Sequence, residues 1–184
     1  VTTAPARPAS SSIDQSLADR LTDIVGARRV LFRPSELLTY TSDGLPSYNK
    51  RPGLAVFPGT RDEVIAIVRE LAQRDIPFVP RGAGTGLSGG ALADGIVLIG
   101  LNRLTRVVSV DAENCLAVVE PGVVNVALSR AVAPHGLHYA PDPSSQAACT
   151  IGGNVAENAG GPHCLKYGTT TNHIVALTVL LPNG

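Results

Sequence analysis

Apolar residues recur every fourth position at Ile13, Leu17, Leu21 and Val25. That spacing lines one helical face and predicts a helix over about residues 13–25, with Ser11 or Ser12 as its cap. Ser35–Tyr40 adds a short helical turn, and residues 42–52 read as a loop punctuated by glycine and proline. Leu54-Ala55-Val56-Phe57 is then a continuous apolar run closed by Pro58-Gly59, the pattern of a short buried strand. Thr60-Arg61-Asp62-Glu63 fits a capping box, in which hydroxyl and carboxylate satisfy free N–H groups at a helix start. The helix behind it buries Val64, Ile65, Ile67, Val68 and Leu71 and ends near Arg74-Asp75. Pro77–Pro80 is the next strand. Residues 54–80 therefore form a βαβ unit, whose right-handed crossover implies parallel strands.

A glycine-rich loop follows, PRGAGTGLSGGALADG from Pro80 to Gly95, and then the apolar strand Ile96–Ile99. Arg106–Val110 and Leu116–Glu120 alternate around Asp111-Ala112-Glu113-Asn114 and read as a hairpin. After Pro121-Gly122, residues Val123–Ala133 are helical, stopped by Pro134 and Gly136. His138–Ala140 is expected to be a brief strand, and Ile174–Leu181 a strong final one. The sum is an α+β pattern with mixed strand pairing and no internal repeat.

The glycine loop contains GxGxxG, from Gly84 to Gly89. A dinucleotide fingerprint requires a helix directly after the glycines, with its N-terminus on the pyrophosphate. Here Gly89–Gly95 is too short and glycine-rich for a helix, and a strand comes next, so the match is incidental. No Gly-Lys-Ser/Thr follows, which excludes a Walker loop. Successive glycines can still turn their N–H groups inward as a concave anion nest. Thr85 and Ser88 add hydroxyl donors, and Arg81 adds positive charge at the entrance. A second segment, CTIGGNVAENAGG from Cys149 to Gly161, brackets a short helix between glycine pairs. The amides of Gly152 and Gly153 at its start are expected to face an anion or an electron-rich ring edge.

Composition narrows the classes. The chain has 184 residues, 44% hydrophobic and only 4% aromatic, with no Trp. It has core-forming capacity but no aromatic platform for stacking bases. Lysine plus arginine equals aspartate plus glutamate at 15 each, which argues against nucleic acid or an anionic membrane as partner. Cys115, Cys149 and Cys164 have neither disulfide-framework nor zinc spacing, so a reducing, cytoplasmic setting is expected. No metal site and no transmembrane stretch is expected. Residues 1–12 lack a secretory apolar run and read as a disordered leader. The chain starts on Val, contains no Met and stops just after an apolar run, so it reads as part of a longer protein.

Val79–Gly90 resembles the flavin pyrophosphate loop of the FAD-linked oxidases, of the vanillyl-alcohol oxidase and p-cresol methylhydroxylase type. Pro141-Asp142-Pro143-Ser144-Ser145, Thr150–Gly161 and Lys166-Tyr167-Gly168 resemble the branch that contains the glycolate oxidase D-subunit and D-lactate dehydrogenase. The resemblance covers about residues 52–184. It implies a two-lobed α+β FAD-binding domain, truncated at its C-terminal end. Lobe one would span about residues 52–110 and part of lobe two 111–184, after a helical segment at 13–51. It further implies that Arg81, Gly82, Ala83, Gly84, Thr85, Gly86, Ser88 and Gly89 wrap the pyrophosphate. Pro121 and Gly122 would form a turn approaching the flavin. Pro143, Ser145, Thr150, Gly152, Gly153, Asn154, Asn158 and Gly161 would line its ribityl and ring side. Some relatives attach FAD covalently through a histidine in this loop, and Thr85 holds that place, so the resemblance implies noncovalent FAD. His163, near Tyr167, is the histidine closest to these motifs.

The implied activity is hydride transfer from a small 2-hydroxy acid, of glycolate or D-lactate type, to FAD. No catalytic residue is expected in this chain, because the substrate domain would lie beyond Gly184. An electron-acceptor subunit is the implied partner, with any membrane association through partners. The alternatives are an FAD-binding module without turnover, or a same-fold flavin reductase using NADPH, as in cell-wall precursor synthesis. The PDPSS and TIGGNVAENAGG segments favour the 2-hydroxy-acid reading over the reductase.

Overall fold

The computed structural model describes residues 13–184; the leader expected at 1–12, with Ser11 and Ser12, lies outside the described residues. Helix α1 spans Gln15–Val25, and its cap is Asp14, whose carboxylate accepts the Leu17 N–H at 3.0 Å. A 3-10 turn at Ala27–Arg29 leads into β1, Val30–Leu31, then α2, Pro34–Leu37, and a second 3-10 turn at Leu38–Tyr40. Strand β2 is Leu54–Val56, α3 is Arg61–Gln73, β3 is Phe78–Arg81 and β4 is Val97–Gly100. The sheet order is β1-β2-β4-β3, with β1 antiparallel to β2 and the other pairs parallel. The βαβ unit is therefore present, with β4 inserted between its two strands.

Both faces of this sheet are covered, which is why its central strands are apolar at every position. Leu54, Val56, Val97 and Ile99 pack under α1 and α3, against Leu17, Leu21, Val25, Ile67, Val68 and Leu71. The alternate residues Ala55 and Leu98 face the other way and pack with Leu37, Phe57 and Ala93. Adjacent parallel strands need a long crossover, usually a helix. Between β3 and β4 that crossover is the glycine loop itself, leaving from the carboxyl end of β3.

The second unit is smaller. Strands β5, Val107–Asp111, and β6, Leu116–Val119, form an antiparallel hairpin with a register shift between Val107 and Ser109. Since β5 pairs with β6, it belongs with this unit and not with the sheet before it. Helix α4 spans Asn125–Val132, α5 Ile151–Glu157 and α6 Cys164–Tyr167. Val123, Leu128, Val132 and Ile151 form the core, with Val107, Val110 and Val119 packed on it.

Two expected strands are absent among the described residues. Tyr139, in the segment expected to be a brief strand, has its backbone satisfied by a side chain: Ser129 Oγ accepts its N–H at 3.1 Å. Ile174–Leu181 has no ladder partner. It crosses to the first unit, where Leu180 packs on the core and Gly184 O accepts from Arg69 Nε at 3.1 Å. An apolar run specifies a strand only if a neighbouring edge is free to pair with it.

Candidate functional site

The glycine loop leaves β3 at Arg81. Sequence places this side chain at the loop entrance; in the structure it is buried beneath the loop at 9% exposure. Its guanidinium donates to Ser42 O (2.8 Å) and Ala91 O (3.3 Å) and lies 5.8 Å from the Tyr40 ring centroid. Burial lowers its pKa, while the nearby Asp43 charge works against that shift. Arg81 thus braces the loop from behind.

The loop continues with Gly84 at φ +70° and Gly89 at φ +80°, both conformations that favour glycine. Asp43 Oδ2 accepts the Gly89 N–H at 3.0 Å, and Gly44 N–H donates to Gly86 O at 2.9 Å. The N–H groups of Ala83, Gly84, Thr85, Gly86 and Ser88 have no acceptor among the described residues. They form the row of donors that an anion nest requires. Gly89 contributes less than expected, because Asp43 already takes its N–H.

Space above the glycines sorts them by purpose. A Cβ on Gly82 would overlap Thr150 Oγ1, on Gly84 the Arg81 guanidinium, on Gly122 the Leu101 carbonyl and on Gly161 the Asp142 carbonyl. A Cβ on Gly152 would stand 2.6 Å from Pro121 Cβ. These five glycines answer to packing within the protein. Gly86 differs, since its Cβ would meet nothing closer than Glu157 at 3.9 Å. At Gly153 the nearest atom is Thr150 Oγ1 at 3.3 Å, and at Gly90 it is the end of the Glu157 side chain at 3.0 Å.

The same contacts show that the two motifs meet. Gly82 touches Thr150 at the start of α5, while Gly86 and Gly90 face Glu157 at its end. The loop therefore runs along α5. The amides of Gly152 and Gly153 are not anion donors: they pair with Pro121 O (2.8 Å) and Thr150 Oγ1 (3.3 Å). Thr150 caps α5, and Pro121 packs on its first turn. Asn158 closes the helix in the left-handed region at φ 49°, and its Oδ1 accepts from the N–H and hydroxyl of Thr171. Asn154 is different. It is 2% exposed, and its Nδ2 has no acceptor among the described residues. A buried unpaired donor is costly, and such a group implies a missing acceptor.

Pro143 and Ser145 belong to a turn in which Ser145 O accepts the N–H groups of Ala148 and Cys149 at 2.8 Å. Next to it, His163 Nδ1 lies 2.6 Å from Asp142 Oδ2, and the His163 N–H donates to Asp142 Oδ1 at 3.0 Å. Burial pushes the Asp142 pKa up, but these bonds outweigh it and hold the carboxyl below its ordinary range. A surface cleft of about 180 Å³ lined by Val155, Thr170, Thr171, Ile174 and Leu177 is too small for a dinucleotide. No group of His, Cys, Asp and Glu among the described residues could hold a metal ion, and no described helix is long and apolar enough to cross a membrane.

The unpaired amides, the open Gly86 and the orphaned Asn154 donor fit a phosphate-bearing cofactor with a polar ring. The comparisons with known proteins agree. Residues 52–184 match the FAD binding domain family. The chain is 47% identical over 166 residues to glycolate oxidase subunit GlcD of Escherichia coli strain K12, covering 89% of this chain and 33% of that protein. It is 38% identical to a D-lactate dehydrogenase of Anaerostipes hadrus, covering 87% and 34%. The chain thus spans about a third of these relatives' length. Alkyldihydroxyacetonephosphate synthase shares the fold at TM-score 0.84 and 20% identity, covering 98% of this chain and 35% of its own. A p-cresol methylhydroxylase structure does so at 0.71 and 22%, covering 82% and 31%. The α+β chain built around this glycine loop belongs to the FAD binding domain family.

Proposed function

We propose that this chain holds FAD for the oxidation of a small 2-hydroxy acid of the glycolate or D-lactate class. The observation that carries this reading is the row of unpaired amides from Ala83 to Ser88, laid along α5. Identity to GlcD and to a D-lactate dehydrogenase supports the substrate class. When bound, FAD supplies the acceptor for the hydride leaving the substrate carbon.

The work of these residues is binding and orientation. The loop amides, with the hydroxyls of Thr85 and Ser88, donate to pyrophosphate oxygens, and Arg81 fixes the loop from behind. Pro121, Gly122, Pro143, Ser145, Thr150, Gly152, Gly153, Asn158 and Gly161 shape the wall on the ring side. Asn154 brings a buried donor to that wall. Thr85 offers no ring nitrogen for a covalent link, so the cofactor is held by hydrogen bonds and packing alone.

The test is optical. Protein mixed with FAD and freed of excess by gel filtration should carry the visible flavin bands. Acid precipitation should then release all the flavin to the supernatant. A colourless protein overturns FAD binding, and flavin left on the precipitate overturns noncovalent attachment.

A further inference from the structure

The FAD-binding family match begins at residue 52, yet the glycine loop is held from residues before that point. Ser42 O accepts from Arg81 Nη2 at 2.8 Å. Asp43 uses both carboxylate oxygens, one for the Leu45 N–H at 2.8 Å and one for the Gly89 N–H at 3.0 Å. Gly44 N–H donates to Gly86 O at 2.9 Å, and a Cβ on Gly44 would stand 2.5 Å from Thr85 O and 3.0 Å from Gly86 O. Two successive loop carbonyls, those of Thr85 and Gly86, therefore face Gly44.

Peptide planarity turns this into an orientation. In a trans peptide the C=O of one residue and the N–H of the next point in opposite directions. With the carbonyls of Thr85 and Gly86 drawn toward Gly44, the N–H groups of Gly86 and Leu87 must point away from it. Asp43 fixes the far end of the same stretch through Gly89. We propose that Ser42, Asp43 and Gly44 are positioning residues of the cofactor loop, a clamp that aims its amides from outside the family-matched region. This rests on the reading of residues 81–89 as the pyrophosphate loop. The clamp works through hydrogen-bond geometry, so an acceptor at position 43 matters more than its charge.

The test compares Asp43→Ala, Asp43→Asn and Gly44→Ala with the unaltered chain. FAD affinity is measured by flavin fluorescence, thermal unfolding is measured without FAD, and hydrogen exchange is followed over residues 82–91 in the FAD-free protein. Asp43→Ala and Gly44→Ala should weaken FAD binding by about tenfold or more, and Asp43→Ala should speed exchange over 82–91, as loss of a charge-assisted bond does. Asp43→Asn keeps an oxygen acceptor for the Gly89 N–H but turns an amide donor toward the Leu45 N–H, so it should weaken FAD binding clearly less than Asp43→Ala does. Unchanged exchange in Asp43→Ala overturns the clamp whatever FAD does, as does Asp43→Asn failing as badly as Asp43→Ala. If Gly86→Val loses FAD while Asp43→Ala keeps it, the clamp falls and the pyrophosphate-loop reading stands. If the unaltered chain does not bind FAD, both fall.

Discussion

At Gly86 an added Cβ meets nothing nearer than 3.9 Å, while at Gly152 it would press on the rigid ring of Pro121. Two glycines that look alike in the sequence therefore have opposite expected behaviour. Gly86→Ala should leave the FAD-free melting temperature unchanged and weaken FAD binding, because the added methyl enters the space meant for the cofactor. Gly152→Ala should lower stability by about 1–3 kcal/mol with or without FAD, as overpacking does. Paired melting curves with and without FAD check both, and a Gly86→Ala protein that melts early without FAD would contradict the division. The glycine count marks the loop but cannot separate these roles, since the reason lies in partner atoms far along the chain. The burial of Arg81 is hidden from the sequence for the same cause: its partners are backbone carbonyls at Ser42 and Ala91, which carry no side-chain signal.

Helix α3 shows what short-range signals can and cannot say. Thr60 Oγ1 accepts the Glu63 N–H at 3.2 Å, which is the hydroxyl half of the expected capping box. The Glu63 carboxylate also accepts from Gly59 N–H (2.6 Å) and from both terminal nitrogens of Arg29 (2.6 and 2.8 Å). That ion pair ties α3 to the turn before β1, a contact no local pattern announces. Burial raises the Glu63 pKa, but the Arg29 and backbone bonds outweigh it and hold it below its ordinary 4.5. Its stabilisation is therefore complete above that ordinary value and is lost as pH falls through the lowered one. Glu63→Gln should cost about 1.5–3 kcal/mol at neutral pH and progressively less in acid. Denaturant titrations across that range check it, and an equal deficit at pH 3 and pH 7 would contradict it. The two-residue β1 escaped the sequence because it is too short to show a period.

Across the whole molecule, the parallel sheet was legible because its central strands are buried on both faces and read as unbroken apolar runs. The same pattern misled at Ile174–Leu181, where Val175 (80%), Leu177 (58%), Val179 (73%) and Leu181 (62%) point outward on alternate positions. Val108, Leu116 and Val118 on the hairpin are also exposed. Periodicity says which residues want burial and not whether an edge is there to bury them. Rows of exposed apolar residues drive association, and the chain has no net charge at pH 7 to oppose it. The 184-residue chain alone should therefore self-associate as concentration rises, most strongly near its neutral point of about pH 7.1. Val118→Lys with Val179→Lys adds charge to both rows without touching the glycine loop or α5. Sedimentation velocity should show the double variant shifted toward monomer, with FAD affinity unchanged. Equal association in both proteins would mean that these rows do not drive it, and a loss of FAD in the variant would mean that the rows and the loop are not independent.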